Sequence, residues 1–191
     1  MAATLEIAEK RYTVKEWLEL EKRSEIRHEY YYGKLIPMAG EAKKANKIVI
    51  NLIKLLDDRL YEKGLDTYSH DVKAEVVPNG IYRYPDLVAA PVADDSDDYI
   101  VKTPVLMVEV ASKQSRNRDQ VKKRKEYFAI PSLWYYLIVW QDDMLAELYV
   151  RGEDGRWEPH YFTEPNEVIE LEKFDLKILL SDIYKRVHPN P

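Results

Sequence analysis

VLMVEVAS, residues 105–112, is a run of apolar and β-branched residues broken by one carboxylate, Glu109. Upstream, YPDLVAA at 84–90 has the same character, with Asp86 at its entrance. In a strand spanning 105–111, Val105, Met107, Glu109 and Ala111 share one face, and Leu106, Val108 and Val110 share the other. Both faces are apolar apart from Glu109, as in a central strand covered on each side. An ionised carboxylate there is costly to desolvate, so it must be paired, hydrogen-bonded or bound to a cation. If a strand through 81–90 pairs beside 105–111, Asp86 and Glu109 converge at a strand end and offer hard oxygen ligands to Mg²⁺. The spacing equally allows each acid to meet solvent or an arginine near a strand end, and the residues alone leave both readings open.

Working outward, VKAEVV at 72–77 and a long strand over 81–90 flank the turn signal Pro78-Asn79-Gly80. Apolar residues recur at Ala45, Ile48, Val49, Leu52, Leu55, Leu56 and Leu60, which predicts a helix from about 41 to 63 ending at Gly64. Thr13-Val14-Lys15-Glu16 has the form of a capping box opening a short helix. EIRHEYYYGKLIPM reads as a hairpin about Gly33. An acidic loop over 91–103 precedes the strand at 104–111. A charged helix from about 117 to 129 follows, then strands at 133–140 and 144–150, edge strands at WEPHYF and Val168-Ile169, and a closing helix in FDLKILLSDIYKRV. This order predicts an α/β (α+β) fold with a central mixed sheet.

At 191 residues the chain has the length of a single domain, read here as 1–191 with its core at about 13–187. Hydrophobic residues at 46% and charged residues at 33% describe a globular chain. No segment reaches the roughly 18 apolar residues of a membrane span. There is no cysteine and no basic-then-apolar leader, so a cytoplasmic location is expected. The net charge of −5 argues against a surface that is basic all over, but leaves room for a local basic patch.

The six glycines form neither G-x-G-x-x-G nor a Walker-type phosphate loop. No serine lies in G-x-S-x-G, and the four histidines lack metal spacing, which disfavours a zinc site.

The series EYYYGKLIPMAG, NKIVINLIKLLDDRL, YPDLV, PVLMVEVAS and D-x-x-x-K-x-x-x-Y running into IPSLWYYLIV resembles the widespread bacterial family of restriction-endonuclease-like proteins within the PD-(D/E)xK nuclease superfamily. The likeness runs from about residue 13 to 187. It implies a restriction-endonuclease-like core, a mixed sheet flanked by helices, with Mg²⁺ (or Mn²⁺) held by Asp86, Glu109 and the Val110 carbonyl. It also implies a functional acid in the N-terminal region, at Glu29. The superfamily's lysine position is Ala111 here, and the resemblance moves the amine to Lys123 in the following helix; the residues themselves leave Lys73 and Lys113 as alternatives. Asp119, Lys123 and Tyr127 recur at i, i+4 and i+8. Val121 and Phe128, however, define an apolar stripe opposite that face, so periodicity alone does not bring Lys123 inward. Where relatives carry a Ser-Pro-x-His-like segment, this chain has EAKKAN, with Ala45 at the histidine position.

Residues 113–125 carry Lys113, Arg116, Arg118, Lys122, Lys123, Arg124 and Lys125 against the single acid Asp119. Lys113, Arg116, Arg118 and Lys122 are the candidate phosphate contacts, although a solvated helix face gives the same pattern. Two functions follow: an Mg²⁺-dependent endonuclease acting on DNA as a homodimer, with Glu29, Asp86, Glu109 and Lys123 catalytic, or a catalytically silent nucleic-acid-binding or assembly module on the same fold.

Overall fold

The computed structural model describes residues 10–94, 97–113 and 118–187. Its first helix, α1 (Val14–Glu21), is closed by the expected capping box. The Thr13 hydroxyl accepts from the Glu16 N–H at 3.2 Å, and Glu16 Oε2 accepts from the Thr13 N–H at 2.8 Å. This reciprocal pair satisfies amide donors that a helix start otherwise leaves bare. β1 (His28–Tyr31) and β2 (Lys34–Pro37) form the hairpin about Gly33. Tyr32 at φ 43° and Gly33 at φ 87° are both left-handed, as a two-residue turn matched to strand twist requires. α2 (Lys43–Tyr61) carries the expected stripe, with Ala45, Ile48, Val49, Leu52, Leu56 and Leu60 buried.

β3 (Leu65–Ser69), β4 (Lys73–Val77), β5 (Ile81–Arg83) and β6 (Leu87–Pro91) follow. The single strand expected over 81–90 is therefore two. Pro85 has no N–H for a ladder and keeps Tyr84 out of helical geometry, so the chain leaves one sheet after Arg83 and enters another at Leu87. Next come β7 (Ile100–Val101), β8 (Leu106–Ala111), α3 (Arg118–Phe128), β9 (Tyr135–Trp140), β10 (Ala146–Arg151) and β11 (Trp157–Phe162). One sheet runs β2-β1-β5-β4-β7 and the other β11-β10-β9-β8-β6-β3. In the second, β8 and β9 are parallel and the remaining pairs antiparallel, the mixed sheet that the sequence predicts. β11 is an edge strand with an exposed centre, where Pro159 stands opposite Tyr149.

The tail differs from expectation. FDLKILLSDIYKRV was expected to close the chain as a helix, yet β13 (Leu176–Leu179) pairs with β12 (Val168–Leu171), and only α4 (Leu180–Ile183) is helical. Leu176 and Ile178 are buried while Lys177 and Leu179 face outward, a period of two that a helix cannot use. Asp175, left-handed at φ 54°, turns the chain just before this strand.

Three apolar clusters set the layering. α2, α4, β12 and β13 cover one face of the six-stranded sheet, meeting Leu87, Ala89, Leu106 and Val108. Its other face, with Val88, Met107 and Tyr136, packs against Tyr127 of α3 and Ala74, Val76 and Ile81 of the second sheet. On the far side of that sheet, Trp17 of α1 joins Tyr30, Tyr82 and Tyr84. β8 is thus covered on both faces, as its composition demands.

Leu52, fully buried in the first cluster, anchors α2 to the sheet. Leu52→Ala should lower stability by about 2–5 kcal/mol, seen as a reduced urea midpoint at unchanged slope.

Candidate active site

Strand register brings the two acids together. Leu87 stands opposite Val108, so one step beyond that pair Asp86 comes beside Glu109. Asp86 Oδ2 accepts the Val110 N–H at 2.5 Å, which fixes the carboxylate against the end of β8. Glu29 comes from β1 and Arg83 from β5, the neighbouring strands of the other sheet.

α3 supplies the cation. The Lys123 Nζ lies 3.1 Å from Glu29 Oε1 and 3.5 Å from Glu109 Oε2. One turn on, the Tyr127 hydroxyl donates to Glu109 Oε1 at 2.7 Å. Glu126 Oε2 accepts from Arg83 Nη2 at 2.8 Å, and Arg83 Nη1 grips Glu29 Oε2. Lys123, Glu126 and Tyr127, at i, i+3 and i+4, form one face of the helix. That face, not the Val121–Phe128 stripe expected from periodicity, points inward: Val121 is 46% exposed, whereas the Lys123 side chain is 16% exposed. A ring of buried carboxylates outcompetes one valine for the interior. Phe128 instead stacks on Trp157 at 4.3 Å.

The resulting chain of charges runs Glu126–Arg83–Glu29–Lys123–Glu109, with Asp86 beside it. Burial, with the nearby Glu109 next, pushes Asp86 up to about 7. Burial raises Glu109 too, against the pull of Lys123 and the Tyr127 hydroxyl. For Lys123 burial acts downward, but Glu109 and Glu29 outweigh it and hold the amine charged. Four carboxyls here face two buried cations. Asp86, Glu109, Val110, Lys123, Tyr136 and Glu41 line a cleft of about 280 Å³ over this group.

The donor set suits magnesium. Asp86 and Glu109 are hard oxygen ligands with a local excess of negative charge, and the upward push on Asp86 is the penalty that a divalent cation would relieve. Among the described residues no three or more His, Asp or Glu gather into a metal cage. Two carboxylates with main-chain oxygen and water is nevertheless a usual way to hold Mg²⁺. Asp86, Glu109 and the Val110 carbonyl are the groups that would hold it.

Glu29, Asp86, Glu109 and Lys123, selected from sequence, therefore share one site. The substitute lysines do not join it. Lys73 is buried among Trp17, Tyr84 and Tyr99, and Lys113 pairs with Asp143 at 2.9 Å. Lys122 sits over the Tyr31 ring at 3.4 Å, and Arg124 donates to the Tyr149 hydroxyl, so the basic run is divided among several partners. Arg116 lies outside the described residues, as do the side chains of Arg118 and Asp119. Sequence reasoning missed Arg83, Glu126 and Glu41. Arg83 carried the signal already used for Asp86, a charge inside the apolar run IYRY. Ala45, in the position of the relatives' histidine, is buried and lines the cleft beside Glu41.

A mixed sheet delivering two acids, with a helix-borne lysine beside them, defines a restriction-endonuclease-like protein. The chain belongs to the Uma2 family, described as "Putative restriction endonuclease", whose model matches residues 14–180. Two uncharacterized proteins of Synechocystis sp. are similar to it. One, sll1609, is 28% identical over 148 residues, covering 76% of this chain and 84% of its own. The other, slr1290, is 28% identical over 171 residues, covering 89% and 90%. Its fold is shared with the crystal structure of a "putative nuclease belonging to DUF820" from Anabaena variabilis, at TM-score 0.75 and 15% identity over 93% of this chain and 99% of that one.

Between about pH 4 and 7 the folded chain keeps a proton on Asp86 that the unfolded chain releases, so stability from this group falls as pH rises through that window. Asp86→Asn should flatten this dependence. Urea midpoints at about pH 5 and pH 8 should differ less in the variant than in the wild type, and equal differences would contradict the assignment.

Proposed function

We propose that this chain is an Mg²⁺-dependent endonuclease that hydrolyses phosphodiester bonds of DNA. The carrying observation is the Lys123 amine, 3.5 Å from Glu109, beside a second acid at a strand end. It supplies from α3 the cation that Ala111 cannot. Bound magnesium would neutralise the scissile phosphate and lower the pKa of an attacking water. The side chains do the rest. Asp86 and Glu109 hold the cation. Lys123, kept charged by Glu109 and Glu29, orients the water and stabilises charge developing on the phosphate. Glu29, itself held by Arg83, aims the amine. Tyr127 limits rotation of Glu109. Lys122 meets the phosphate backbone in a salt-dependent way. Cutting both strands of a duplex takes two such sites, so the reading extends to a homodimer, and it places the protein in the cytoplasm with its substrate.

One observation favours the silent module: both Glu109 oxygens already have protein partners, Tyr127 and Lys123. Metal binding separates the two readings. Calorimetry should show Mn²⁺ binding to wild type and none to Asp86→Ala, with DNA cleavage following the same pattern. Lys123→Ala should retain metal and lose cleavage by on the order of 10²–10³-fold. Wild type that takes up no Mn²⁺, with DNA present or absent, would leave the binding module as the better account.

A further inference from the structure

Glu21, the last residue of α1, lies outside the set that lines the cleft, yet it is only 5% exposed. Its Oε2 accepts from the Tyr84 hydroxyl at 2.8 Å and from the His28 N–H at 3.2 Å. Its Oε1 stands 2.9 Å from His28 Nδ1. Trp17, one turn earlier on α1, donates its indole N–H to the His28 carbonyl at 2.8 Å. α1 therefore holds His28 by its amide, its carbonyl and its ring.

Both residues that Glu21 grips adjoin site residues. His28 immediately precedes Glu29 on β1. Tyr84 stands between Arg83 and the Pro85-Asp86 step where the chain changes sheet. A proline ring fixes its own φ and restricts the residue before it, so Tyr84 and Asp86 are joined by a stiff segment. A backbone shift at Tyr84 is therefore passed on to Asp86.

We propose that Glu21 is a positioning residue, which through Tyr84 and His28 sets the placement of Asp86 at the sheet crossover and of Glu29 on β1. Its catalytic consequence rests on the nuclease reading above; its geometric content does not. Buried groups hydrogen-bonded to a metal ligand orient it and alter affinity without touching the ion; Glu21 would act one link further out, through the residues next in the chain to Asp86 and Glu29. The competing account is that Glu21 merely satisfies buried donors and fastens α1 to the sheet.

The full chain tests this through two readouts. The Val110 amide proton, which donates to Asp86 Oδ2, reports Asp86 placement by its NMR shift with no metal present, since a short bond to a carboxylate moves it downfield. Mn²⁺ affinity by calorimetry reports the same placement with metal. In Glu21→Ala, measured well below its unfolding midpoint, the Val110 resonance should move upfield and Mn²⁺ binding should weaken by up to roughly 10-fold, the low end of the effect of a group bonded directly to a ligand. Glu21→Gln retains an oxygen acceptor for the Tyr84 hydroxyl and should recover most of both. If Glu21→Ala does not fold, Tyr84→Phe removes the same hydrogen bond with less disturbance and should displace the Val110 resonance in the same direction. A Val110 resonance and Mn²⁺ affinity unchanged while the urea midpoint falls would assign Glu21 to stability alone and overturn the proposal. Should wild type bind no Mn²⁺, the nuclease reading fails by itself, and the Val110 shift still decides whether Glu21 positions Asp86.

Discussion

Carboxylates withdrawn from water must find cations, and that requirement governs how the two sheets and α3 meet. Glu29 and Arg83 are 5% and 0% exposed, and neither could be buried alone without a penalty of several kcal/mol. Glu29 belongs to one sheet, Glu109 to the other, and Lys123 to the helix between β8 and β9. A single ammonium group touching both acids therefore pins three elements at one point. Such a cluster is a poor way to gain stability, because an apolar replacement of the same shape is often at least as stable. Its four carboxyls against two buried cations leave an excess of acid in the interior, and the proposed metal site rests on that imbalance.

The positions of the site residues follow from strand geometry. β6 and β8 are antiparallel neighbours, and β8 and β9 are parallel, so the connection after β8 must cross over the sheet, and α3 is that crossover. The element that topology requires thus also brings the amine. Asp86 follows Pro85 directly, at the entrance to the second sheet, and the register and alternation of β6 and β8 put it beside Glu109.

Much of this was legible in the residues. The capping box of α1, the apolar stripe of α2 and the doubly covered pattern of 105–111 each express one local rule strongly, and each element formed as read. The convergence of Asp86 with Glu109 was one of two readings the residues allowed, and the register of β6 with β8 decides for it. The inward face of α3 was not legible. Periodicity weighs hydrophobic residues, whereas here the buried face carries Lys123, Glu126 and Tyr127 and is defined by charges on strands distant in sequence. The tail failed for a related reason: LKIL is short, apolar and ambiguous between the two periods, and only pairing with β12 decides it. Arg83 was overlooked because its two partners, Glu29 and Glu126, are 54 and 43 residues away in the chain.

Proline also shapes the rim of the molecule. In β11 the register with β10 continues through Pro159, so the nitrogen that lacks a hydrogen faces away from the sheet. A strand arriving from another molecule would find no donor at the middle of that border, and the ladder would be interrupted there. Growth of the sheet from copy to copy is discouraged along this margin.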